Sequence, residues 1–300
     1  MNQTLTICLL LLIGLNSCAQ QSDSIAIKNS SDFLEIEPVV VQKNHIIPNG
    51  TFLKTRIDTP TNFNRIKADS NSFATYLRHL PMKPHGSEVM YYDGTYKPNY
   101  DVYDAVIDLK IGKRNLHQCA DAVMRLWAEY LWTHKRYDEI HFNFTNGFRI
   151  DYTKWMQGYR VAIKGSKTSW VKRTSPSNTY KDFWKYMEIV FSYAGTLSLS
   201  KELVQVPLDD MQIGDVFIWG GSPGHAILVT DMAINPKTNE KIFLLSQSYM
   251  PAQDTQILKN PNNSNLSPWY SLSDLKTDPI AIGLKTPEWV FNVNDLKRFK

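Results

Sequence analysis

The sequence predicts an α+β fold in which a helix carrying Cys119 packs on an antiparallel β-sheet. Three observations predict it. Residues 116–134 repeat apolar side chains at helical spacing, at Leu116, Ala120, Val123, Trp127, Tyr130 and Leu131. Strand-like runs come later, at Asp215–Trp219, His225–Ala233 and Lys241–Ser248. The last two are joined by Asn235-Pro236-Lys237-Thr238-Asn239, a turn-rich loop of the kind that closes a hairpin. A helix ahead of a run of hairpin-linked strands is the α+β order.

In chain order, Met1–Cys18 reads as a lipoprotein signal peptide. Its apolar core, Leu9–Ile13, is too short to span a bilayer as a permanent helix. Leu15-Asn16-Ser17-Cys18 resembles a lipobox, whose cysteine is acylated and becomes the first residue. A signal cleaved without lipidation is the alternative. A lipidated Cys18 anchors the chain to a membrane by acyl chains, without a spanning helix. That implies the cell envelope of a bacterium, at the periplasm or outer membrane. Residues 19–50 are polar and aperiodic, as in Gln20-Gln21-Ser22-Asp23-Ser24, and read as a flexible tether. Residues 51–300 hold no internal repeat and no Pro/Ser-rich break, so they read as a single domain.

Within that domain, Ser72–Leu80 is a short helix stopped by Pro81. Ala105–Ile111 is a strand. Glu139–Phe144 alternates polar and apolar residues, as a strand with one buried face does. Tyr159–Ile163 and Ser169–Lys172 are two more strands. Residues 180–194 form a second helix, with Phe183, Trp184, Met187, Val190 and Phe191 on its inner face. Arg149, Asp151 and Arg160 read as a solvated strand face with ion pairs, the alternative being a cleft lining. Most of the cluster Trp155, Tyr159, Trp170 and Trp184 reads as core packing, the alternative being platforms for sugar stacking. Trp269 follows a proline in a Pro/Asn-rich loop and is the aromatic expected to be exposed.

Composition excludes several classes of function. An apolar fraction of 43% with eight tryptophans supports a large core. A net charge of +4, with scattered lysines and arginines, offers no basic stripe for nucleic acid. There is no CxxC or HExxH spacing and no Gly-rich phosphate loop, so neither a metal nor a cofactor is expected.

The chemistry centres on a thiol. Of the three cysteines, Cys8 and Cys18 go with the signal, which leaves Cys119 without a disulfide partner. Asn115 is expected to cap the helix, with Gln118 three residues on completing a capping-box pair. Cys119 then sits in the first turn, where unpaired N–H groups and the helix dipole favour negative charge. That setting is expected to lower the thiol pKa and to stabilise an oxyanion. The alternative is an inert, buried cysteine. His117, two residues away on the same helix, is expected to point elsewhere. His225 is entered through the turn Pro223-Gly224 and continued by the aliphatic strand Ala226-Ile227-Leu228-Val229, which holds it rigidly.

A cysteine at a helix N-terminus followed by a histidine on a strand resembles the chain order of papain-like cysteine hydrolases. Gly214-Asp215-Val216-Phe217, then Pro223-Gly224-His225 and an aliphatic strand, resembles the NlpC-type cell-wall peptidases and related amidases. Those enzymes cut peptide or amide bonds in peptidoglycan. The resemblance implies Cys119 as nucleophile, His225 as base, Gln247 in Leu244-Leu245-Ser246-Gln247-Ser248 as orienting residue and Gln118 as oxyanion donor. Tyr249 and Trp269 are expected beside the substrate. A second resemblance spans nearly the whole domain. Cys119-Ala120-Asp121-Ala122-Val123-Met124-Arg125-Leu126, Ile140–Phe148, Gly220-Gly221-Ser222-Pro223-Gly224-His225 and Ser248–Gln253 look like the bacterial domain-of-unknown-function family numbered 4846, which implies no activity. The expectation is an exported lipoprotein whose papain-like domain acts on an amide bond of a cell-envelope peptide or glycan. The alternative is a non-catalytic lipoprotein of the same fold that binds glycan or peptide.

Overall fold

The computed structural model describes residues 45–277 and 283–300. The chain divides into two units, Met1–Val41 and Gln42–Lys300. All described residues belong to the second. The segments expected to be a signal peptide and a tether lie, up to Asn44, outside the described residues. Residues 45–50, assigned to the tether by their polarity, are part of the fold. His45 and Ile46 are buried, and Ile46 bridges to Ile57.

The centre is an antiparallel sheet. Its main strands are β1 (Tyr103–Val106), β2 (Val204–Gln205), β3 (Val216–Trp219), β4 (His225–Ile234), β5 (Lys241–Gln247), β6 (Gln256–Leu258) and β7 (Leu296–Arg298). Their order across the sheet is β1-β6-β5-β4-β3-β7-β2. Two-residue strands add to it, Asn64–Arg65 beside β4 and Tyr270–Ser271 beside β5. In register, Trp219 faces His225, Ser246 faces Leu228 and Gln247 faces Gln256.

Both faces of this sheet are covered, which is why β4 and β5 read as nearly unbroken apolar runs. Alternation sends Ala226 and Leu228 of β4 with Ile242 and Leu244 of β5 into one core. It sends Ile227 and Val229 with Phe243 and Leu245 into the other, together with Phe217 and Phe291. The first core is closed by helices α1 (Phe73–Arg78), α2 (Cys119–Thr133), α3 (Tyr180–Tyr193) and α4 (Thr196–Glu202). Ser72 caps α1, its Oγ accepting from Thr75 N at 3.2 Å, and Thr179 caps α3, its Oγ1 accepting from Asp182 N at 3.3 Å. α2 lies on β4 and buries Ala120, Val123, Met124 and Leu131 in this first core.

Buried charge locks α1 to the sheet. Asp231 of β4 is fully buried and holds Arg65 at 2.6 Å and Arg78 at 2.7 Å. Two hairpins stand apart from the main sheet, His141–Asn143 with Arg149–Asp151 and Tyr159–Lys164 with Lys167–Lys172. Arg149 pairs with Asp151 at 2.7 Å on the outer side of the first hairpin.

The α+β reading holds, and most elements end within a few residues of their expected limits. The strand expected over 105–111 is instead Tyr103–Val106. α4, β2, β6 and β7 were not anticipated. Each is too short to show a period of its own, and tertiary pairing creates it. Trp269 is a correction. It is fully buried, with its indole N–H donating to Asp58 O at 2.8 Å and the Arg65 guanidinium 5.8 Å from its ring. A ring of that size gains more by burial with its N–H satisfied than by standing in solvent.

Candidate functional site

α2 begins at Cys119, with Gln118 as its cap residue in extended conformation. Asn115 is not the cap. Its Oδ1 accepts instead from Gln118 Nε2 at 3.2 Å and from Ala252 N at 2.8 Å. The carboxylate at the third helical position takes over part of the capping: Asp121 Oδ2 accepts from Gln118 N at 2.9 Å. His117 precedes the helix, with a left-handed φ of 69°, and is buried with Nε2 3.3 Å from Arg125 Nη1. Ser248, next to Gln247, donates to His117 O at 2.8 Å. The loop that delivers the thiol is thus stitched to the loop that follows β5.

Cys119 is the first residue of the helix and is 8% exposed. The backbone N–H groups of Ala120 and of Ala226, the residue after His225, bear on its sulfur in the sense that favours a thiolate. His225 opens β4 and is 1% exposed. The turn before it admits only glycine at 224, because a Cβ there would run into Thr196 Oγ1 and the carbonyl oxygens of Gly221 and Trp219. His225 Nε2 lies 2.9 Å from Gln247 Oε1. Its ring is packed by Tyr249, Trp289 and Phe291, with centroids 4.8, 5.3 and 5.7 Å away.

Cys119, His225, Gln118, Tyr249, Met250 and Trp289 line one cavity of about 270 Å³. The structure therefore brings together five of the expected site residues: Cys119, His225, Gln118 and Tyr249 line the cavity, and Gln247 stands behind the histidine. Trp269 is not among the lining residues; Trp289 supplies the indole there. A larger hollow of about 720 Å³ near Gln205, Leu208 and Asn294 gathers no cysteine, histidine or carboxylate among the described residues. No group of three His, Cys, Asp or Glu side chains among the described residues is placed to hold a metal ion.

The electrostatics correct one expectation. Burial pushes the Cys119 thiol up to about 11, and the nearby Asp121 adds to the rise. The N–H groups of the helix start and of Ala226 act in the expected direction, but loss of water outweighs them. Burial also holds His225 down, to about 4, with the Gln247 bond opposing and the Lys97 ammonium assisting. At neutral pH the resting pair is a thiol and a neutral imidazole, not an ion pair. Asp121 itself is buried and pushed up to about 7.

Sequence reasoning missed Trp289, Glu288, Lys97 and Asp121. Only Asp121 carried a local signal, an acid three residues after the cap. The others arrive from segments with no motif: Lys97 Nζ reaches Glu288 Oε2 at 2.7 Å across 191 residues of chain.

The fold and site define a mixed protein of helices and antiparallel sheet, with one buried thiol and one buried histidine opening on a shared cavity. The chain belongs to the family described as domain of unknown function (4846), which matches residues 53–298. No curated protein and no solved structure matches it.

Proposed function

We propose that this domain is a papain-like cysteine hydrolase, a peptidase or amidase acting on an amide bond in the cell envelope. One observation carries the reading. The thiol that starts α2 lines one cavity with His225, whose Nε2 lies 2.9 Å from Gln247 Oε1. This is the layout of nucleophile, base and orienting group.

The chemistry begins from the neutral pair. As the Cys119 sulfur attacks the substrate carbonyl carbon, the thiol proton passes to His225 Nδ1, since Nε2 is engaged by Gln247. The carbonyl oxygen takes up negative charge at the N-terminal N–H groups of α2, beside Gln118. The C–N bond breaks, the imidazolium returns its proton to the leaving nitrogen, and a thioester remains. Water, deprotonated by His225, then attacks that thioester and the thiol is restored.

The signal peptide ending at Cys18 fits a lipid-anchored protein in contact with a cell-envelope peptide or glycan. Among the described residues no helix is long and apolar enough to cross a membrane. A second reading is a binding module for glycan or peptide. The small exposure of Cys119 and its raised pKa favour it.

Digestion of purified peptidoglycan tests the choice. The hydrolase releases fragments with new amino or carboxyl ends and traps an acyl group on Cys119, and Cys119→Ala abolishes both. Retention on peptidoglycan with no new ends and no adduct supports the binding module.

A further inference from the structure

His225 is a base toward sulfur only if its Nδ1 carries a lone pair. That depends on which end of the Gln247 amide faces it, because amide oxygen and nitrogen are assigned from their partners. Gln247 has two partners. One is His225 Nε2, 2.9 Å from its Oε1, and the other is Glu288 Oε2, 2.5 Å from its Nε2. Glu288 Oε2 is also 2.7 Å from Lys97 Nζ. An ammonium donates and never accepts, so that oxygen is an acceptor toward both neighbours. The amide group facing it must be the NH2. The amide oxygen is thereby turned to His225, and the proton must lie on His225 Nε2. Lys97 is 3% exposed and also stands 5.6 Å from the Tyr249 ring, which itself packs on His225. The Glu288 side chain is 17% exposed. The relay is walled off from most competing water.

We propose that Glu288, held by Lys97, is a positioning residue that sets the His225 tautomer through the Gln247 amide. This rests on the hydrolase reading and extends it. Without an acceptor-only group at 288 the amide turns over freely, and its NH2 drives the His225 proton to Nδ1. That tautomer presents a donor to the cavity and takes no proton from the thiol. The chain of control runs Lys97, Glu288, Gln247, His225, and none of the first three touches the reacting atoms.

The test uses the folded protein with NMR of the imidazole nitrogens, the His225 signals being assigned by their loss in His225→Ala. In parallel, p-nitrophenyl acetate serves as acyl donor, with the Cys119 adduct followed by intact mass. The wild type is expected to show the Nε2–H tautomer. In Glu288→Leu, which leaves no acceptor at 288 and only the Lys97 donor nearby, Nδ1–H appears and acylation slows by about tenfold or more, the consequence of a base in the wrong tautomer. Adding Gln247→Glu to Glu288→Leu restores Nε2–H, because a carboxylate at 247 accepts from His225 without help. A role confined to packing would not be rescued in this way. An Nδ1–H wild type overturns the proposal, and that measurement suffices if Glu288→Leu does not fold. An unchanged tautomer in folded Glu288→Leu overturns it as well. If the tautomer shifts as expected while no variant, wild type included, acylates, the relay stands and the hydrolase reading falls.

Discussion

Asp121 Oδ2 accepts the backbone N–H of Gln118 at 2.9 Å, which places a buried carboxyl within one helical turn of the Cys119 thiol. The contact closes the helix start but sets a potential negative charge beside a potential thiolate. The thiol pays for that position: burial first, then Asp121, raise it to about 11. Alkylation of Cys119 by a neutral haloacetamide should therefore titrate with a midpoint well above the value of about 8.5 for free cysteine. Asp121→Asn keeps the hydrogen bond and removes the charge, so its midpoint should lie lower than that of the wild type. A wild-type midpoint at or below the free-cysteine value contradicts the buried neutral thiol.

Asp121 and Glu202 are both pushed up to about 7 by burial. A raised folded-state pKa favours the neutral acid in the fold. The stability that these groups contribute is complete below their unfolded values, about 3.9 for Asp and about 4.3 for Glu, and is lost as pH rises through about 7. Thermal unfolding of Asp121→Asn should show a shallower decline between pH 4 and pH 7 than the wild type. Parallel curves would remove Asp121 from that account.

His225→Ala separates a neutral pair from an ion pair. Loss of the base should slow acyl transfer to Cys119 by about 10²- to 10⁴-fold. The midpoint of Cys119 alkylation should stay or fall, because the imidazole that leaves is uncharged and the gap admits water. A midpoint that rises in His225→Ala would mean that a cation had been holding a thiolate.

Asp231 carries the charge that binds Arg65 and Arg78 to the strand of His225. Asp231→Ala leaves both guanidinium groups without it and should cost about 3–5 kcal/mol of stability in denaturant unfolding. A loss under about 1 kcal/mol would place this pair among exposed ion pairs of little weight.

Cys18→Ser tests the anchor. The substituted protein should move from the membrane fraction to the soluble one, while unchanged membrane retention would count against lipidation at Cys18.

The sequence by itself determined the elements whose period is local. The apolar stripe of α2, the alternation or continuity of β4 and β5, and the Pro223-Gly224 entry to His225 are properties of neighbouring residues. It also placed the thiol in a first helical turn, although the cap proved to be Gln118 rather than Asn115. Only the tertiary structure decided the protonation of the site and the residues that surround it. Charge at Cys119 and His225 depends on how much water remains, and Tyr249, Trp289 and Phe291 remove it from distant points of the chain. Trp269 turned inward because Asp58 and Arg65 wait there, neither of them near it in sequence. Lys97 and Glu288 meet at Gln247 although the three residues come from segments remote from one another in the chain. Periodicity reports what a segment does with its neighbours, whereas desolvation and long-range pairing exist only once the segments have met.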